Sequence, residues 1–320
     1  MDPASSLPRS TVATAPAVAA APAEKRSAIY HLFSILFERS IHFCFRIAGK
    51  RIRKTDFPWL NCPLGDRGPI GASIYERIAR EENLQLKTPR DAGLITDFNA
   101  LRGPNFDPAA IHPAIRHFYE HTAGYHLEVW TEVSLLGRFF LWLLVEFISR
   151  RMDQLNFPIS SLEVAKGMSS EVVQLIDPAG ERASERLAYT GWLRRLKSSG
   201  HVIYAGLYST VQVPGETDPC VKVTFPCDGS ANVYLSPVAH PDGSFGLDSS
   251  GSAWGRSGFY RVFAAGADHC RVRYIKTLHE LFRVYVDNEG ILRTDHTISF
   301  LGLTIIRLHY KMSLAASLHP

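Results

Sequence analysis

The feature that most constrains this chain is a change of period near Met168. Before it, apolar residues recur mostly at the spacing of an α-helix. After it they alternate in short runs as far as Met312, separated by clusters of Gly, Pro and Asp. The stretch Leu281–Ile298 carries the pattern. Phe282, Val284 and Val286 share one face of a predicted strand and Arg283 and Tyr285 the other; Asp287-Asn288-Glu289-Gly290 then turns the chain into Leu292-Arg293-Thr294-Asp295-His296. Strands are expected near 170–176, 186–196, 201–213, 220–226, 231–236, 244–248, 258–264, 270–276, 281–287, 291–298 and 302–311. Connections this short place sequence neighbours side by side. A meander of about ten antiparallel strands exceeds what a flat open sheet tolerates, so curling or closure is expected. No internal repeat is visible, which argues against a propeller. The expected class is α+β: a helical N-terminal part packed on a curled antiparallel β-meander, a barrel-like or half-barrel body.

The apolar fraction, 46%, and the charged fraction, 21%, exclude a chain that is disordered throughout. Charge is unevenly placed. Between Glu24 and Lys54, eight Lys/Arg face two Glu, a local balance of +6 within a chain of net +4, so the remainder is slightly acidic. The body therefore lacks a basic face of the size nucleic acid requires, and no nucleic-acid partner is expected. Attraction to an anionic surface is expected to lie in the first 54 residues.

The chain divides as follows. Residues 1–24 read as a disordered tail of small residues and prolines. Residues 25–54 read as an amphipathic helix with a basic flank, Lys50-Arg51-Ile52-Arg53-Lys54. Its apolar positions, Leu32, Phe33, Leu36, Phe37 and onward to Phe45, suit either a bilayer surface or the domain itself. Residues 55–167 form a mainly helical region. It contains a Pro/Gly-rich connector over 55–71, a helix start at Asp107-Pro108 with the helix running to about Thr122, a possible strand at 125–131 and an apolar helix over 134–153. Residues 168–312 form the antiparallel β domain, and 313–320 a tail. Neither apolar stretch offers about 18 uncharged residues, so no membrane-spanning helix is expected. Five cysteines without a C-x-x-C pair suggest reduced thiols in a cytoplasmic protein, peripheral to a membrane if the first helix binds one.

Two constellations bear on chemistry. His117-Phe118-Tyr119-Glu120-His121 matches H-x-x-E-H, which on a helix points two imidazoles the same way. In that form the pentad resembles the inverzincin metallopeptidases. The resemblance implies zinc held by His117 and His121, with Glu120 as the catalytic base and a third ligand downstream, Glu181 or Glu185 being nearest. The opposing reading is a helix flank whose Ile115 and Phe118 pack inward. The second constellation lies in the β half. Period two puts His296 on the face of Leu292, Thr294 and Ile298, and makes Arg307 a candidate donor to a carboxylate or phosphate head group. The Gly-rich stretch from Gly243 to Gly258 reads as a loop over one end of the body, from which Trp254 and Phe259 would close on an apolar guest. Asp295 beside His296 is not a catalytic dyad, because strand neighbours point to opposite faces. No G-x-S-x-G, P-loop or kinase signature occurs.

Three segments, Phe118-Tyr119-Glu120-His121-Thr122, Gly258-Phe259-Tyr260-Arg261-Val262 and the run from Tyr285 through Leu292-Arg293-Thr294-Asp295-His296 to Leu308-His309-Tyr310, resemble uncharacterised bacterial proteins of similar length. The resemblance implies a bacterial, cytoplasmic setting and carries no reaction, cofactor or functional residue. The function expected from the residues is binding of an apolar or amphiphilic, lipid-like small molecule in the β interior. Thr294, His296, Arg307, Trp254 and Phe259 are the candidate contacts, and residues 25–54 the candidate link to an anionic membrane. The alternatives are the zinc hydrolase and a structural module without a ligand.

Overall fold

The computed structural model describes residues 28–66, 68–156, 167–178 and 186–315. The expectations for residues 1–24, for Glu181 and Glu185, and for the last five residues lie outside that range.

The fold is α+β, with a helical N-terminal part and a large antiparallel sheet. The helices are α1 (Ala28–Ile47), α2 (Ile74–Glu81), α3 (Pro113–Glu120) and α4 (Leu135–Leu144); α4 continues through a π turn, Val145–Ser149, to Met152. Three strands precede Met168: β1 (Lys50–Arg53), β2 (Gln85–Lys87) and β3 (Tyr125–Val133). Eleven follow it: β4 (Met168–Asp177), β5 (Arg186–Leu196), β6 (Val202–Val211), β7 (Cys220–Pro226), β8 (Ser230–Ala239), β9 (Phe245–Asp248), β10 (Gly258–Ala264), β11 (His269–Ile275), β12 (Leu278–Val286), β13 (Leu292–Phe300) and β14 (Leu303–Leu314).

The main path of the sheet runs β2-β4-β5-β6-β7-β8-β9-β12-β13-β14-β3, and β10, β11 and β1 branch from β8. No ladder joins β2 to β3, so the sheet does not close, and it is not strongly curled; the expected curled, barrel-like body is not realised. The predicted hairpin is present, with Phe282 opposite His296 and Val284 opposite Thr294. Asp287 organises its turn by accepting from the Glu289 and Ile291 N–H groups and from Arg293.

Met168 is a boundary in sequence but not in space. All three early strands join the sheet: β1 pairs β11, β2 pairs β4 and β3 pairs β14. The basic run is thus no free flank, because Lys50–Arg53 is laddered to His269–Val272. The expected helix from Asp107 to Thr122 is also split. Asp107 caps only the short turn Pro108–Ala110, and α3 starts anew at Pro113, capped by His112. The second proline has no N–H to donate and holds His112 extended, at ψ 133°.

Helix α4 lies close on β14. A Cβ on Gly137 would sit 2.1 Å from the Ile305 carbonyl oxygen, so glycine permits this approach. Ser134 caps the helix, accepting from the Gly137 N–H at 3.0 Å.

Candidate functional site

The connector over 55–71 is the first place where tertiary structure departs from sequence pattern. Its turn Pro58–Leu60 drives Trp59 against one face of β8 and β10, with T-shaped contacts to Tyr234 (5.1 Å) and Tyr260 (5.3 Å). The Trp59 carbonyl accepts from Lys222 Nζ (3.1 Å) and from the Tyr234 hydroxyl (2.9 Å). Trp254 joins this cluster through Trp59 and Tyr260. It therefore packs away from the interior expected to hold a guest, which corrects its placement as a ligand contact. The Gly243–Gly258 stretch likewise supplies strand β9 and a tied loop. Ser249 bonds to Glu280, and the Tyr260 hydroxyl accepts from the Gly255 N–H.

The opposite side of the sheet encloses a cavity of about 420 Å³, within the ~300–1,000 Å³ typical of small-molecule sites. Trp192 of β5, Tyr204 of β6, Phe225 of β7, Phe259 of β10 and Phe282 of β12 line it, as do apolar residues of β13 and β14. Alternation explains much of the selection: Trp192 and Arg194 on β5, Val223 and Phe225 on β7, and Leu278, Glu280 and Phe282 on β12 sit two apart. Thr294 and His296 belong to this wall and are buried. Arg307 does not: it is exposed, because Ile306 and Leu308 take the inward positions of β14. The candidate head-group donor of the sequence reading is thus on the wrong face.

The wall is largely apolar; its polar members are Arg261, held by Cys227 and Asp228, and a group of residues around Arg194. Arg194, only 5% exposed, packs its guanidinium 4.9 Å from the Trp192 ring centre and 4.8 Å from that of Tyr310. Its one hydrogen bond among the described residues runs from Nη2 to the Met168 thioether at 3.6 Å, and Nε has none. Nearby, the Tyr204 hydroxyl donates to that of Tyr208 at 2.6 Å. Burial, above all, holds both phenols well above their usual pKa, so both remain protonated donors. His296 stacks on Phe282 at 3.8 Å, with Nε2 3.7 Å from a Glu280 carboxylate oxygen. Sequence reasoning missed Arg194 and Glu280. The signal for Arg194 was available: two residues beyond Trp192 in a predicted strand, it must share that ring's face.

The H-x-x-E-H pentad keeps its two imidazoles together, 4.6 Å between ring centres, with His117 Nδ1 bonded to the Tyr125 hydroxyl at 2.9 Å. Glu120 turns elsewhere. Its carboxylate accepts from the Phe98 N–H at 2.9 Å and so secures the preceding loop. His121 follows the last helical residue and has left helical geometry. No group of three or more His, Cys, Asp or Glu gathers around a common point among the described residues. Among the described residues the arrangement gives zinc two ligands without a third, Glu181 and Glu185 lying outside them, and the Glu120 carboxylate is occupied by the backbone. Asp295, not paired with His296, bonds instead to His309 on the outer face at 2.7 Å.

One surface is unusually apolar. On α1, Leu32, Leu36, Phe43 and Ile47 are exposed. At about 100° per residue they fall within an arc of roughly 60°, while Ser34 and Phe45 point to the other side, where Phe45 reaches the cavity wall. On α4, Leu135, Phe139, Phe140 and Trp142 are exposed, and Phe140 also lines the cavity and contacts Phe300. Leu301 and Leu303, at the adjoining β13–β14 turn, are exposed as well. Arg39 on α1 and Arg138 on α4 stand exposed on the same helices, and Lys50, Arg51 and Arg53 stand exposed on β1, which follows α1. No described helix is long and apolar enough to cross a membrane.

No protein-family model matches the chain, and no solved structure matches it significantly. The chain is similar, as a distant homologue, to the uncharacterized membrane protein YndJ of Bacillus subtilis, with 25% identity over 246 residues; the match covers 76% of this chain but only 41% of that relative.

Proposed function

We propose that this chain binds an apolar or amphiphilic, lipid-like small molecule inside its β body, and that it does so against an anionic membrane surface. In this reading the hollow side of the sheet is the binding site. One observation carries the reading: the cavity wall extends to Phe45 of α1 and Phe140 of α4, the same two helices that present unpartnered apolar residues outward. A guest leaving a bilayer through that mouth stays in apolar surroundings throughout, and the hydrophobic effect favours such a path over transfer through water. The exposed cations add attraction to anionic lipid, about 1 kcal/mol for each one near the surface. The Bacillus subtilis relative is named as a membrane protein, which supports this placement. A purely structural module would instead fill its interior with side chains, as the Trp59 side does.

Two measurements on the full chain test the reading. Mass spectrometry of the organic extract, with titration of an apolar fluorescent dye, tests the cavity; absence of both a co-purifying amphiphile and dye binding overturns it. Co-sedimentation with phosphatidylglycerol vesicles tests the surface. Replacing Leu36 and Phe43 together by Glu is expected to weaken vesicle binding by about tenfold or more, while dye binding is unchanged. Full vesicle binding by that variant removes the membrane from the proposal.

A further inference from the structure

We propose that Arg194 is the head-group receptor of the cavity, so that the bound molecule is a single-chain amphiphile whose head carries one anionic group, a carboxylate or a phosphate. The inference rests on the cavity-binding reading and adds the charge and polarity of the guest.

Three buried cations allow the comparison that leads here. Lys222 is satisfied by the carbonyls of Trp59 and Asn61. Arg261 is satisfied by the Cys227 thiol at 2.6 Å and by the carbonyls of Cys227 and Asp228 at 3.2 and 3.0 Å. Arg194 is equally buried, yet among the described residues it has only a thioether, a weak acceptor, and two aromatic faces. Aromatic faces attract the charge but accept none of the five N–H donors in the way oxygen does. A guanidinium shut away from water without oxygen partners is costly, and its planar fork matches a carboxylate or phosphate in two parallel bonds. The arrangement is what a site looks like when the missing acceptor belongs to the guest.

The surroundings fit that assignment. Because the Tyr208 hydroxyl accepts from Tyr204, its own proton is free to donate toward the same pole. Arg194, Tyr208, Tyr310 and His296 all line the one cavity. His296 Nε2 also lacks a hydrogen bond. Glu280, the acidic residue of this wall, stands beside His296 and makes no ion pair with Arg194, so the fork stays open. Its negative charge disfavours a second anionic group, which limits the head to one. The volume, near the lower end of the usual range, suits one acyl chain better than two.

Displacement of a bound fluorescent dye from the full chain by oleate, by oleoyl lysophosphatidate and by oleyl alcohol tests the proposal. The wild type is expected to bind at least one of the anions about tenfold or more tighter than the neutral alcohol of equal chain length. Preference for oleate alone assigns a carboxylate, and for the lysophosphatidate alone a phosphate. Arg194→Met is expected to remove the preference while alcohol binding stays within about threefold, and Arg194→Lys to restore part of it. Equal affinity of the wild type for the anions and the alcohol overturns the proposal, whether or not either variant folds, and leaves the cavity-binding reading standing. A preference that survives in Arg194→Met also overturns it. Failure of all three probes and of the dye overturns both readings together.

Discussion

On strand β8, Tyr234 and Leu235 point to opposite sides of one sheet, and the two sides are filled differently. On the Tyr234 side, Trp59 arrives from a connector far away in sequence and wedges between Tyr234 and Tyr260, leaving the Trp59, Tyr234 and Tyr260 rings 6% exposed or less. On the Leu235 side the segment from Ala92 to Tyr119 covers only part of the face, packing Phe98 and Tyr119 on Phe245, and Leu235, Ala231 and Phe259 still face a hollow. Both sides are apolar, and both obey the same alternation. What separates them is how completely a remote piece of chain fills the face. An apolar strand face is therefore a demand for cover, and the identity of the cover, side chain or guest, is a separate matter.

This difference can be broken by mutation. The largest effect is expected at the plug. Trp59→Ala should destabilise the protein by roughly 3–5 kcal/mol, the usual cost of deleting a packed large aromatic. Phe259→Ala, on the hollow side, should cost about half as much, because part of its ring already lacks neighbours. Chemical denaturation with an unchanged slope reads both; equal losses would mean that the two sides are equally filled in solution.

A smaller effect tests the hollow directly. Ala231→Leu adds volume to the cavity wall. In a packed core such overpacking costs about 1–3 kcal/mol; here stability should change by less than about 1 kcal/mol, while dye affinity falls. Loss of stability without loss of dye binding would contradict the placement of Ala231 on the hollow side.

The smallest effect concerns reagents. Cys220 belongs to the plugged side, where burial, only partly offset by the Ser236 hydroxyl, pushes its thiol up to about 12. Alkylation requires the thiolate, so at pH 9 iodoacetamide should modify exposed Cys44 and leave Cys220 intact until the protein unfolds. As pH rises toward 12 the unfolded chain loses its thiol proton first, so the thiol's contribution to stability falls over that window. Early labelling of Cys220, read by peptide mass spectrometry, would mean that the plug opens readily.

Much of the β half was legible. Alternation grouped Phe282 with Val284 and Thr294 with His296, and the Asp287–Gly290 turn marked the hairpin that pairs them. Phe259, expected to close on a guest from the Gly-rich stretch, does lie on the cavity wall, though as a residue of strand β10. Arg307 and Trp254 failed for two reasons. In β14 each residue has a partner on either face, so period two names two sets and does not say which is inward; Ile306 and Leu308 took the cavity side. Trp254 sits in a loop, where no period applies, and its position follows from the aromatic cluster around Trp59. The helix expected from Asp107 failed on Pro113, a local signal that was present and outweighed by the stronger cap before it.

The sequence by itself determined the class of element along most of the chain, the antiparallel character of the β half and the face each strand residue shares with its neighbours. These follow from local sterics and from the burial of one side of an alternating run. Tertiary structure alone decided that β1, β2 and β3 complete the sheet, that Trp59 plugs one side of it and that the other is hollow. It also decided that α1 and α4 meet the hollow at Phe45 and Phe140 while their outer residues go uncovered. Those outcomes depend on contacts between segments tens to hundreds of residues apart, whose energies no local pattern contains. The buried position of Arg194, which among the described residues has no oxygen hydrogen-bond partner, belongs to the same class. Period two placed it beside Trp192, but only Tyr310, brought across from β14, shuts it away from water.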